Sequence, residues 1–167
     1  MTQPIQMDKS KLIDLNPPRL QNGERLFIAG LGARYSFEAS QAIPDQWRRF
    51  APHIGHVAGQ LTPQSDGVAF NFDDAGTFTY VAGVRARDFS AIPGDFATVV
   101  IEPRRYAVFT HNGHVSGLHR SHYTIWNNWA SKSEFAIALA PNFELYHRDF
   151  DPVTGLGTIE IWMPLDG

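Results

Sequence analysis

The stretch Phe143-Glu144-Leu145-Tyr146, followed by Phe150-Asp151-Pro152, Gly155, Gly157 and Ile159-Glu160-Ile161-Trp162-Met163-Pro164, decides the fold. Both arms alternate side-chain character, and the joint between them is rich in Asp, Pro, Thr and Gly, which predicts a β-hairpin. Alternation puts Glu144, Tyr146 and Arg148 on one face and Phe143, Leu145 and His147 on the other. A register that pairs Arg148 with Glu160 sets Tyr146 across from Trp162 and Glu144 near Pro164. It joins opposite charges and two aromatic rings, pairings worth roughly 0.2–1 kcal/mol each. It also gathers Phe143, Leu145, Ile159, Ile161 and Met163 on one apolar face. Glu144 lies inside an aromatic strand rather than at a turn, and this leaves two readings. It is an exposed strand acid paired with a Lys or Arg, or it is the charged floor of a pocket walled by rings. The second would suit a lipophilic cation, since aromatic faces add cation–π attraction of roughly 0.5–2 kcal/mol.

Outward from the hairpin, the chain reads as the same order twice. Arg25 to Arg34 is a strand; Gln41 to Ile54 carries Ile43, Trp47, Phe50 and Ile54 at helical spacing, with Pro44 where a first turn tolerates it. Gly67 to Phe72 and Phe78 to Ala86 form strands around Asp73-Asp74-Ala75-Gly76. Phe96 to Ile101 and Tyr106 to His111 follow as strands, and Val115 to Ser131 carries Leu118, His122, Ile125, Trp126 and Trp129 at helical spacing. Each half is strand, helix, hairpin, and Trp47 with Phe50 matches Trp126 with Trp129. The expectation is an α+β domain of two βαββ units, with two helices against one antiparallel sheet. Residues 1–22 are expected to form an N-terminal arm or edge segment, and residues 23–167 the domain.

A chain of 167 residues that is 43% hydrophobic and 13% aromatic can build a core and still line a pocket. The net charge of −3 and the lack of a basic stripe argue against a nucleic-acid surface. With no cysteine, disulfides, thiolate catalysis and Cys-ligated zinc are excluded. The polar start, Met1 to Asn22, is neither a signal peptide nor a membrane span, so a cytoplasmic location is the default. His119 and His122 stand three apart on the second helix, but no HExxH run or acid at ligand spacing accompanies them; no metal is expected. Asp149 and Asp151 read as turn formers rather than a catalytic acid pair. No phosphate-cradling loop or nucleophile elbow occurs, and no catalytic residue and no cofactor is assigned.

The run Ile101-Glu102-Pro103-Arg104-Arg105-Tyr106-Ala107-Val108-Phe109-Thr110-His111-Asn112-Gly113 resembles the strand that opens the second half of GyrI-like small-molecule-binding domains, the effector-binding domains of AraC-type activators. Tyr123 to Trp129 resembles their second helix, and the closing hairpin resembles theirs; Tyr80-Val81-Ala82-Gly83-Val84 carries the first half. The resemblance covers roughly residues 24 to 165. It implies two βαββ units of the SHS2 type related by a pseudo-two-fold, with a ligand groove between the helices. It further implies binding of bulky, often cationic, aromatic molecules, with Glu144 as the ligand contact; Trp162, Tyr146, Trp126 and Trp47 are candidate aromatic walls. Roles implied for a free-standing member are sensing or sequestering such molecules. The alternatives are inhibiting a protein partner such as DNA gyrase, or hydrolysing cyclopropane-type compounds with the same Glu. An exposed sheet edge leaves monomer and homodimer both open.

Overall fold

The computed structural model describes residues 8–166; residues 1–7 of the expected arm lie outside the described residues. The strands are β1 (Arg19–Gly23), β2 (Leu26–Ser36), β3 (Ser65–Phe70), β4 (Thr77–Ala86), β5 (Ala97–Ile101), β6 (Arg104–His111), β7 (Ala136–Ile137), β8 (Asn142–Tyr146) and β9 (Ile159–Asp166). Helix α1 spans Ile43–Phe50 and α2 spans Leu118–Thr124, continuing through a π-helical turn, Ile125–Trp129, into α3, Ala130–Lys132. Eight strands are hydrogen-bonded in the order β1-β6-β9-β8-β3-β4-β2-β5, all antiparallel, and β7 pairs with β9.

The duplication is visible in this order. The trios β2-β4-β3 and β6-β9-β8 meet where β3 pairs with β8, and each carries one helical segment between its first strand and its hairpin. The outermost strands are exchanged: β1 precedes β2 in the chain but pairs with β6, while β5 precedes β6 but pairs with β2. Glu24 and Arg25 alone join β1 to β2, and Glu102 and Pro103 alone join β5 to β6. Two residues reach at most about 11 Å, whereas six strand spacings across a flat sheet would need about 29 Å. The sheet is therefore rolled until its two ends meet. Arg25 and Glu102, one from each link, pair across that seam at 2.9 Å.

Rolling divides the core in two. Inside the roll pack Ile28, Val68, Val81, Tyr106, Phe143 and Trp162, all buried. The outer face carries Ala107, Phe109, Ile159, Ile161 and Met163 under α2, and Tyr80, Ala82 and Val84 under α1. Helix α1 is fixed by Phe50 and by the fully buried Gln46, whose amide donates to the carbonyls of Leu31 and Tyr80 at 2.6 and 3.0 Å. Its Oε1 accepts the Tyr35 hydroxyl at 2.6 Å, so no polar atom of the buried amide is stranded. Pro44 falls in the first turn and Arg48 and Arg49 in the last, where each suits the helix end. Among the described residues no helix is long and apolar enough to cross a membrane.

The closing hairpin forms, in a different register from the expected one. Tyr146 opposes Ile159, Leu145 opposes Glu160, Glu144 opposes Ile161 and Phe143 opposes Trp162. The displacement from the Arg148–Glu160 register is three residues. An odd shift moves one arm's side chains to the other face relative to its partner. Glu144 and Tyr146 therefore share the outer face with Ile159, Ile161 and Met163, while Trp162 stacks on Phe143 inside the roll, centroids 5.2 Å apart. The long connection sets this register. Asp149 accepts from the Thr158 amide and hydroxyl at 3.0 and 2.7 Å, and Gly155 and Gly157 adopt φ of 72° and 141°. Glu160 accordingly pairs with Arg19 at 2.9 Å.

Candidate functional site

Glu144 sits at the centre of β8, flanked by Ile161 of β9 and by Gly67 of β3, at the line where the two lobes meet. Its side chain is 11% exposed, beneath the helices. Three donors converge on it. The hydroxyls of Tyr80 and Tyr146 donate to Oε1 at 2.9 and 3.0 Å, and His122 Nε2 lies 2.7 Å from Oε2. The Trp47 indole N–H donates in turn to the Tyr80 hydroxyl at 3.0 Å. Trp47 and Tyr80 come from the first lobe, His122 and Tyr146 from the second, so the cluster ties the halves together.

Gly67 makes this arrangement possible. A Cβ there would lie 1.9 Å from the Tyr80 hydroxyl and 2.9 Å from Glu144 Oε1. A glycine inside a strand marks such a close approach. Burial works to raise the pKa of Glu144, but the hydrogen bonds from His122, Tyr80 and Tyr146 and the charge of His122 outweigh it, holding the carboxyl below its ordinary value. Burial, and then the Glu144 charge, push both phenols well above their ordinary value, so they remain donors. The result is an ionised carboxylate in a mostly buried, ring-lined position.

Of the other expected site residues, Tyr146 touches Glu144 and packs edge-on to Trp47, centroids 4.9 Å apart. Trp47 contacts the cores of both lobes. Trp126 is 47% exposed and stands about one turn beyond His122, on the same side of the helix. Trp162 lies on the opposite face of the sheet from Glu144, for the reason of register given above. Sequence reading missed Tyr80 and Gly67 as site residues and did not pair His122 with Glu144. The interior glycine of β3 was the available signal. The other helix histidine, His119, is exposed and bonds the Ser116 carbonyl, while His111 is buried against Ser121.

A cavity of about 290 Å³ opens inside the roll, away from Glu144, bordered by Gly23, Leu26, Arg85, Tyr106, Phe143 and Trp162. Its charged lining residues are Glu24 and Arg85, the latter forked onto the buried Asp66 through Nε and Nη2, both at 3.1 Å. This cavity lies on the opposite face of the sheet from the Glu144 cluster, with the Arg85 guanidinium over the Phe143 ring and matched by Asp66.

The sequence model of the GyrI-like small molecule binding domain matches residues 17–166. The chain belongs to the GyrI-like family. The transcriptional regulator BrlR of Pseudomonas aeruginosa is 26% identical over 145 residues, covering 85% of this chain and 53% of BrlR. The chain thus spans about half the length of that relative. Among solved structures, SAV2435 bound to tetraphenylphosphonium superposes with a TM-score of 0.74 at 22% identity, covering 90% of this GyrI-like chain and 94% of that one. The integron cassette protein VCH_CASS2 from the mobile metagenome of Vibrio cholerae gives 0.68 at 15% identity, covering 91% and 97%. Such structural likenesses establish the GyrI-like fold. The Glu144 cluster lies where the two lobes of that fold join.

Proposed function

We propose that this GyrI-like domain binds lipophilic, aromatic cations, and that Glu144 is their anionic receptor. The observation that carries the reading is a carboxylate kept ionised while buried between two lobes and under two helices. An ionised group in such a place is costly unless matched by opposite charge. Tyr146 and Trp47 supply ring surface beside it, and the half-exposed Trp126 supplies more at the helix. The solved relative named with tetraphenylphosphonium carries a ligand of this class. The domain would act as a sensor or sequestering protein, or as the effector module of a regulator.

The test is titration with a cationic dye, a rhodamine or an acridine, followed by tryptophan fluorescence. Glu144→Gln is expected to weaken binding by about 1.5–3 kcal/mol, the scale of a hydrogen-bonded charge. Superimposable curves for the two proteins would remove Glu144 from the role.

A hydrolytic reading uses the same acid as general base toward water, with Tyr80 or Tyr146 polarising an electrophile. The depressed pKa of Glu144, and its oxygens already engaged by three donors, make it a weak base and favour the receptor. Ring-opened product from a cyclopropane-bearing substrate, lost in Glu144→Gln, would reverse that preference.

A further inference from the structure

His122 is the histidine that touches Glu144, and its two nitrogens have different surroundings. Nε2 is 2.7 Å from a carboxylate oxygen, which can only accept, so Nε2 carries a hydrogen. Nδ1 has no hydrogen-bond partner among the described residues, and the side chain is 25% exposed. A proton on Nδ1 therefore has a route to water, whereas the one on Nε2 is locked against Glu144. With both protons in place, the imidazolium is the counter-cation of the buried carboxylate.

We propose that ligand cations bind in exchange for the Nδ1 proton of His122. This rests on the Glu144 receptor reading. An arriving cation and a charged imidazolium would place two positive charges on one carboxylate in a poorly hydrated space, where like charges disfavour each other strongly. Loss of the Nδ1 proton to solvent removes one of them and leaves the Nε2–H···Glu144 bond intact. The balance is one cation taken up and one proton released, with the net charge of the site unchanged.

The other groups around His122 do not supply that proton. From the sheet, Tyr80 and Tyr146 are kept neutral by burial and by Glu144, and Glu144 is ionised. Beneath the helix, His111 is buried, with its nitrogens on Ser121 and on the His114 carbonyl. The 3-10 turn Lys9–Lys11 packs on α2, with the Lys11 ammonium 5.5 Å from the Tyr123 ring centre. On α2 itself, His119 bonds the Ser116 carbonyl, Arg120 is exposed, and the adjoining turns Val115–Gly117 and Ile125–Trp129 carry no titratable side chain. From α1, Trp47 reaches the cluster, while Asp45 and Arg48 pair with each other at the surface.

The experiment is calorimetric titration of the intact chain with tetraphenylphosphonium at pH 6, in phosphate and in a buffer with a large ionisation enthalpy. The observed enthalpies should differ by an amount corresponding to release of up to about one proton per cation. Affinity should rise with pH by up to about tenfold per unit while the free protein still carries the Nδ1 proton, then level off. His122→Gln should bind with an affinity flat from about pH 5.5 to 8 and the same enthalpy in both buffers. Wild-type binding with equal enthalpies in both buffers would overturn the exchange while leaving the receptor reading in place. Absence of binding at pH 8, with the protein folded, would overturn both. If His122→Gln fails to fold, the two-buffer comparison on the wild type decides alone.

Discussion

At the scale of single residues, Gly67 is as necessary to the site as Glu144. Gly67→Ala would drive a methyl into the Tyr80 hydroxyl, which is held between Trp47 and Glu144 and has nowhere to swing. The expected cost is about 1–3 kcal/mol of stability, the range of an overpacked core, together with weaker dye binding. Chemical denaturation and fluorescence titration check the two, and a variant as stable as wild type would show that Tyr80 has slack. Glu144 also makes stability depend on pH. Its folded pKa is depressed, so its contribution is present above the ordinary glutamate value of 4.5 and is lost as pH falls through and below it. The stability difference between wild type and Glu144→Gln should therefore shrink on acidification below about pH 4.5. A difference constant down to pH 3 would contradict this. The acid itself stood out in the sequence because a carboxylate within an aromatic strand needs a reason. Its partners did not, because Tyr80 and His122 reach it from elements 64 and 22 residues away.

The closing hairpin shows where a pattern of side chains ceases to be enough. Alternation identified its arms and faces, but the pairing between arms depended on a twelve-residue connection whose internal hydrogen bonds are not periodic. Charge and aromatic pairing were plausible in the Arg148–Glu160 register, yet the observed one buries Ile159, Ile161 and Met163 under the helix. Those three share an apolar face in either register; the observed one in addition turns Phe143 and Leu145 into the roll with Tyr106 and Trp162, burial that outweighs a surface ion pair. Gly157 holds the connection in place: its φ is 141° and a Cβ would lie 2.3 Å from the Phe150 Cα. Gly157→Ala should destabilise the domain by about 1–3 kcal/mol, the scale of backbone strain, and lower cation affinity by disturbing β8. Retention of both stability and affinity would place the register's determinants elsewhere. The second helix was legible as helical, but its π-helical turn, Ile125–Trp129, was not, since the apolar spacing there fits an α-helix equally well. That turn sends Trp129 inward onto Phe109 while Trp126 stays half exposed, and π turns are frequent at functional sites.

At the scale of the molecule, the duplication was readable from element order, while the exchange of β1 and β5 between the lobes was not. Short strands carry little pattern, and only the two-residue links show that the sheet must roll. The exchange gives β1 a structural role, since it covers the free edge of β6. A chain starting at residue 24 should melt at lower temperature and self-associate more than the intact chain, because an uncovered strand edge recruits another; size-exclusion chromatography and thermal melting report both. An unchanged melting point and elution volume would mean that β6 needs no cover. The rolled sheet also separates two places where a small molecule could sit, the Glu144 cluster under the helices and the Arg85-walled cavity inside. A crystal structure with tetraphenylphosphonium distinguishes them most directly. The phosphonium is expected beside the Glu144 carboxylate, between α1 and α2. A cation lodged against Tyr106, Phe143 and Trp162, with the bonds from Tyr80, Tyr146 and His122 to Glu144 undisturbed, would contradict it.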